Sequence, residues 1–372
     1  MLQTKLSDLV GIINKIAPPA FAEEWDNSGL QIGDPSAPVS RIMVALDPAS
    51  AAVDEAIKNS CQLLVTHHPL IFSPLKRIST ADQTGMLIYR AIKAGLGIAS
   101  LHTNYDVASG GVNDLLAVAL GLEESKPLRV TAKDELLKLV VFVPVSHEDA
   151  LLEAILPLSG YPGNYGDCSF RITGVGTYRP LVGSTPFIGT VGKREMVTES
   201  RIEILLRSSA LKPALKALRS VHPYEEPAFD LIPLKNEGAV LGLGRIGELR
   251  SPLAFDQFCS LVKNRLGLPS LRISGTIDNK VSRVALCGGS GASLLREAAR
   301  QGADVYVTGD VKYHDAREAE TLGIAVIDAG HFATERLMIE GLSNRLRLEL
   351  ATLKMEAEVI PCLAEKDPFA NF

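Results

Sequence analysis

Two adjacent histidines, His67 and His68, follow the apolar run Leu63-Leu64-Val65 and Thr66, and precede Pro69. Imidazole is the commonest protein ligand for metals. Neighbouring side chains on an extended strand point to opposite faces. The pair therefore serves one site only where the backbone turns between them, or where the site spans two metal ions. Far along the chain, His331 and Glu335 lie four residues apart in Asp328-Ala329-Gly330-His331-Phe332-Ala333-Thr334-Glu335. Leu337, Met338, Leu342 and Leu346 continue a helical spacing from there, which puts His331 and Glu335 on one face. The segment His102-Thr103-Asn104-Tyr105-Asp106 adds a further imidazole and a carboxylate. Taken singly, each group reads as an ordinary strand end or helix start. Together, His67, His68, Asp106, His331 and Glu335, with His102 close by, suit zinc, iron, manganese or nickel, not the all-oxygen preference of magnesium or calcium. Five ligands exceed one open tetrahedral site and fit two divalent ions, one for each adjacent histidine.

The elements that must position these residues are legible as runs. Ile42 to Leu46 is an unbroken apolar strand, as suits a parallel sheet covered on both faces. A helix over about 51–59, the strand ending at His67, a helix over 85–94 and the strand Ile98-Ala99-Ser100-Leu101 follow. This alternation implies a right-handed parallel α/β arrangement, with ligands beyond the carboxyl ends of the strands. All the candidate ligands fall at such ends. Before them, Leu2, Leu6, Leu9, Ile13 and Ile16 predict an amphipathic helix closed by Pro18-Pro19. Residues 23–33 then form a polar, glycine-containing loop with the only tryptophan, Trp25, placed to fold over a site.

The character changes near Pro127. Strands over 137–144, 169–178, 202–207 and 229–233 and helices over 148–156 and 213–220 give a strand–helix–strand–strand–helix–strand order, with a turn cluster at 160–166. That order predicts an inserted ferredoxin-like α+β domain over 128–233, between two parts, 1–127 and 234–372, of one α/β core. After Gly238 the first pattern returns. Val284-Ala285-Leu286 repeats Val44-Ala45-Leu46, Val307-Thr308 repeats Val65-Thr66, and Gly323-Ile324-Ala325 repeats Gly97-Ile98-Ala99. The expected fold is therefore two duplicated α/β halves forming one core. In this alignment Gly309-Asp310 stands where His67-His68 stand, and Asp328 where His102 stands.

The 372 residues are 46% hydrophobic with net charge −5 and no long basic run, which disfavours nucleic acid as the main partner. Five scattered cysteines without a Cys-x-x-Cys argue for a reducing compartment and against a thiolate site. No segment has the length and apolarity of a membrane span, so a cytoplasmic location is the expectation. Three weaker signals remain. Cys287-Gly288-Gly289-Ser290-Gly291 reads as a tight strand-to-helix turn without a phosphate-loop spacing. Lys312-Tyr313-His314 follows a strand on the same rim, and His147 lies outside any ligand pattern.

The stretches Glu24-Trp25-Asp26-Asn27-Ser28-Gly29-Leu30, Val65-Thr66-His67-His68-Pro69-Leu70, His102-Thr103-Asn104-Tyr105-Asp106, Thr308-Gly309-Asp310-Val311-Lys312-Tyr313-His314 and 328–335 resemble, in order, the Nif-three-like dinuclear-metal proteins of the long bacterial YqfO type. The resemblance implies two metals on His67, His68, Asp106, His331 and Glu335, and a toroidal homohexamer. It implies a PII/CutA-like insert, of which His222-Pro223-Tyr224-Glu225-Glu226-Pro227 resembles a motif. It also brings the label GTP cyclohydrolase type I homologue, which points to nucleotides. Two divalent ions against the carboxylates of Asp106 and Glu335 leave a positive centre, suited to an anionic small molecule. Such ions lower the pKa of water from ~15.7 to ~7. The expected activity is a metal-dependent hydrolase, with His102 or the Asp26 loop as general base or support. The alternative is a non-catalytic regulatory protein whose insert binds a small ligand or partner.

Overall fold

The computed structural model describes residues 4–133, 135–160, 165–236, 238–275 and 280–370. Leu2 and residues 161–164 of the expected turn cluster lie outside them. The chain forms two compact units, 1–132 with 241–372, and 133–240.

The first half of the discontinuous unit opens with α1 (Leu6–Ile16), whose Leu6, Leu9, Ile13 and Ile16 are buried at helical spacing. There follow β1 (Gly29–Ile32), β2 (Arg41–Ala45), α2 (Ser50–Lys58), β3 (Leu63–Thr66), α3 (Gln83–Ala94), β4 (Gly97–Ser100), α4 (Thr103–Val107), α5 (Val112–Leu120) and β5 (Leu122–Lys133). β2, β3 and β4 are parallel, with Val44 beside Val65 and Val65 beside Ala99. Every residue of β3 and β4 is buried, which is why these strands read as unbroken apolar runs. The stretch expected to be loop at 23–33 contains a strand, since β1 pairs antiparallel with β4 at the sheet edge. A half-exposed edge strand needs no continuous apolar run, so its sequence signal is weak.

The unit 133–240 holds β6 (Leu136–Pro144), α6 (Glu148–Ile155), β7 (Ser169–Tyr178), β8 (Glu195–Arg207), α7 (Leu211–Val221) and β9 (Ala228–Pro233). Its antiparallel sheet runs β7-β8-β6-β9, the ferredoxin-like order. Leu151, Ile155, Ala214 and Leu218 of the two helices pack on Leu139, Val141, Ile202 and Ile204 of the strands.

The second half contains β10 (Val240–Leu253), α8 (Phe255–Leu266), β11 (Arg272–Ser274), β12 (Val281–Leu286), α9 (Leu295–Arg300), β13 (Val305–Thr308), α10 (Tyr313–Leu322), β14 (Ala325–Asp328), α11 (His331–Glu335), α12 (Leu337–Thr352) and β15 (Glu358–Pro361). The two sheets run β1-β4-β3-β2-β15 and β11-β14-β13-β12-β10-β5. In each, three successive parallel strands, β2–β4 and β12–β14, lie beside a short antiparallel edge strand, and β15 adds a fourth parallel strand to the first sheet, so the duplication expected from three short matches is architectural. The halves also exchange helices. Leu342 and Leu346 of α12 enter the core of the first sheet, and Leu116 and Leu120 of α5 enter that of the second. Such interleaving makes the halves one folding unit, because neither buries its apolar face alone.

The unit 133–240 begins inside the 128–233 range read from sequence and ends beyond it. β5 continues to Lys133, and Leu128, only 2% exposed, packs with Ile246, Ala285 and Cys287. Lys312 caps α10, so the Lys312-Tyr313-His314 stretch begins a helix.

Candidate metal centre

The candidate ligands lie where parallel strands end within the discontinuous unit. His67 and His68 follow β3, His102 and Asp106 follow β4, and His331 and Glu335 form the ends of α11 beyond β14. The strand stops at Thr66, whose hydroxyl donates to the His68 carbonyl (2.7 Å). The backbone turns there, and the adjacent rings come to lie 5.0 Å apart, 56° between planes.

Each of four imidazoles is held by its Nδ1. His67 Nδ1–H donates to the Leu101 carbonyl (2.8 Å). His68 Nδ1 is 2.8 Å from Asp47 Oδ1, His102 Nδ1 is 2.8 Å from Asp26 Oδ1, and His331 Nδ1 is 2.7 Å from Asp310 Oδ2. A ring that donates from Nδ1 presents Nε2 as its ligand atom, and such carbonyl or carboxylate partners are the usual support of metal-bound histidines.

The Nε2 atoms converge on Glu335. Glu335 Oε2 is 3.0 Å from His331 Nε2 and 3.2 Å from His68 Nε2, while Oε1 is 3.8 Å from His67 Nε2. Asp106 Oδ1 is 3.7 Å from His67 Nε2. His67 Nε2 and Asp106 Oδ1 are buried and make no hydrogen bond, and buried Glu335 Oε2 has only the His68 and His331 rings as partners. Leaving such groups unpaired costs about 1–3 kcal/mol each, more when charged. Carboxylate oxygens of Asp106 and Glu335 beside the unpaired His67 Nε2, at 3.7 and 3.8 Å, fit a cation. His67, His68 and His102 form one group of atoms at mutual ligand spacing, and His68, His331 and Glu335 form another. His102 therefore stands among the imidazoles, not behind them. Asp106 belongs to neither group and reaches the centre through His67, and Asp26 reaches it through His102.

Burial and neighbouring charge together set the protonation of the ligands. Burial drives His67 down to about 3, so the ring is neutral. Burial also opposes charge on His68, but Asp47 and Glu335 outweigh it and push the ring up to about 10. Its bond to Glu335, against burial, raises His331 to about 9. Burial and the charge of Glu335 push Asp106 well above the usual carboxylate range. Burial would raise Glu335 as well, yet His67, His331 and His68 hold it below that range. An entering cation must displace the protons of His68 and His331.

The supporting residues were only partly legible. Asp26 was singled out, and it accepts from Thr103 N (3.1 Å), Thr103 Oγ1 (2.6 Å) and Ser28 Oγ (2.7 Å) besides His102. Trp25 packs edge-on against His102, at 5.9 Å between centroids, and remains half exposed. Asp47 and Asp310 carried no signal of their own role. Asp47 is itself held from the C-terminus, where Glu365 accepts from Leu46 N and Asp47 N at 2.7 Å each. The glycine turn after β12 is also part of the centre. Gly289 has φ of +60°, and a Cβ there would lie 2.1 Å from Glu335 Oε1, so the turn presses its backbone against the carboxylate.

A sequence model of the family described as Duf34/NIF3 (NGG1p interacting factor 3) matches residues 4–368. Among curated relatives, proteins called GTP cyclohydrolase 1 type 2 homolog from Halalkalibacterium halodurans and Bacillus subtilis are each 40% identical over 362 residues, covering 97% of both chains. Among solved structures, a Bacillus cereus protein related to NIF3 superposes with a TM-score of 0.90 at 39% identity, covering 100% of both chains. Staphylococcus aureus protein SA1388 gives 0.73 at 30% identity, again over 100% of each.

Proposed function

This chain belongs to the Duf34/NIF3 family, and on that premise we propose that it is a metal-dependent hydrolase of an anionic small molecule, with nucleotides the first class to test. The observation that carries the reading is the buried, unpaired His67 Nε2 lying 3.7 Å from Asp106 Oδ1 and 3.8 Å from Glu335 Oε1, beside the ligand-spaced group of His68, His331 and Glu335. His67, His68, Asp106, His331 and Glu335 would hold two divalent transition-metal ions, zinc first, with iron, manganese or nickel as alternatives. Ions held there would supply Lewis acidity and an acidified water.

The chain's own residues do the rest. Asp47, Asp310 and the Leu101 carbonyl fix the orientation and tautomer of the ligand rings before anything binds. Asp26 does the same for His102, which keeps the ring proton on Nδ1 and leaves the lone pair of Nε2 free to take a proton, as a general base requires. The buried floor of β3 and β4 excludes water from behind the site. No helix among the described residues is long and apolar enough to cross a membrane. The toroidal homohexamer belongs to the same reading, and a solution mass of a single chain would remove it.

The test is elemental analysis of protein purified without chelator, followed by turnover of a phosphorylated-metabolite panel that includes GTP. Close to two metals per chain, and activity lost with chelator and restored by zinc, manganese or iron, is the expected result. His102→Gln should keep the metal and lose turnover. Fully metallated protein that turns over none of the panel would overturn the hydrolase reading.

A further inference from the structure

The motif His222-Pro223-Tyr224-Glu225-Glu226-Pro227 has no part in the metal centre, yet it builds one wall of a cavity of about 770 Å³ within the ferredoxin-like unit. That volume is within the ~300–1,000 Å³ typical of small-molecule sites. His222 is the staple of the motif. Its Nε2–H donates to the Phe142 carbonyl of β6 (3.0 Å), and its Nδ1 accepts from Tyr224 N (3.1 Å). Glu225 accepts from Thr185 N (3.0 Å), which holds the loop between β7 and β8 as the facing wall.

The cavity's chemistry is set by Glu199 on β8. Its residue is 8% exposed, and its carboxylate accepts from the Tyr224 hydroxyl (2.9 Å), a neutral partner. Among the described residues it forms no ion pair. A buried carboxylate without a cation is costly. Glu199 is nevertheless accommodated specifically, because a Cβ on Gly176 would lie 2.0 Å from its Oε2. Around it stand aromatic rings, with Tyr178 and Tyr224 at 5.7 Å between centroids and Phe187 and Tyr224 at 6.4 Å. Ring faces attract cations and stack on flat apolar bodies. The lining carries the carboxylates of Glu199, Glu225 and Glu226 against the guanidinium of Arg179. That balance repels phosphate and carboxylate, the opposite of what a dinuclear cation centre selects.

We propose that this cavity is a second binding site, for a small organic cation whose ammonium or amidinium group pairs with Glu199 and whose flat body lies between Tyr178, Phe187 and Tyr224. It shares no residue with the metal centre and does not depend on that reading.

The experiment is calorimetric titration of the full-length, metal-loaded protein with 2-phenylethylamine and with its anionic counterpart, 3-phenylpropionate. Saturable binding of the amine, and none of the acid, is expected. Glu199→Gln should weaken the amine at least tenfold. Phe187→Ala, at a half-exposed ring whose loss leaves the sheet core intact, should do the same. His67→Ala should leave amine binding unchanged while it loses metal, which separates the two sites. Absence of saturable amine binding, equal binding of the acid, or full amine affinity in a natively folded Glu199→Gln or Phe187→Ala protein would overturn the site.

Discussion

The two halves of the core share strand order and direction, but they load their strand ends differently. After β3 stand His67 and His68, and after the matching β13 stand Gly309 and Asp310. The first half puts ligand rings directly on the strand ends. The second puts a carboxylate there and moves its ligands into α11. Asp310, at a φ of 55°, uses that carboxylate to hold His331. Gly309 lets this happen, since a Cβ on it would lie 2.8 Å from His331 N. The aspartate that supports His68, Asp47, comes instead from the end of β2. A duplicated scaffold thus yields one centre, not two, because one copy's ligand position has become the other copy's support position.

The most severe way to break this comparison is to remove the one carboxylate that reaches rings from both halves. Glu335→Ala should empty the centre, taking bound metal from near two per chain to near zero by elemental analysis, with near-UV circular dichroism preserved. Retention of wild-type metal content would show that the halves do not share a centre. His67→Ala attacks the first half alone, and it should lose at least one ion and leave the His68, His331 and Glu335 group partly filled.

A finer comparison sets the two supports against each other. Asp310→Asn and Asp47→Asn should each weaken metal binding about 10- to 100-fold, measured by competition with a chromophoric chelator. Asparagine tolerates the positive φ at 310, so backbone strain does not confound that arm. A change in only one variant would mean that the supports are not equivalent. Glu365→Ala acts one step further out, through Asp47, and should cost severalfold. Smallest of all should be the effect of replacing residues 134–239 with a short Gly/Ser linker. The interleaved α5 and α12 complete the core without them, so metal content should stay at the wild-type value. Insoluble protein, or a core without metal, would contradict that independence.

Much of the centre was legible because chemistry sits where regular elements stop. β3, β4 and β14 are wholly buried and therefore read as apolar runs, and each leads within a few residues to a candidate site residue, His67, His102 or His331. His331 and Glu335 were legible through the apolar spacing of α12 behind them. The edge strands β1 and β15 were not read as strands, since each has one paired side and a mixed burial pattern. Asp47 and Glu365 are among 43 acidic residues, and nothing local distinguishes them, while Asp310 was marked by its place at the strand end matching His67-His68 but not by its support of His331.

Sequence by itself determined which residues would meet at the rim, because hydrophobic periodicity and strand termini are properties of short windows. It also determined the order of elements in the insert and the duplication of the halves. Tertiary structure alone decided how those residues face one another. Which ring nitrogen is free depends on partners far off in the chain, 21 residues away for His68 and 76 for His102. That Glu365 reaches back to Leu46, 319 residues earlier, depends on β15 closing beside β2. Hydrogen-bond direction and burial arise only once sheets and helices have packed, so no window of sequence contains them.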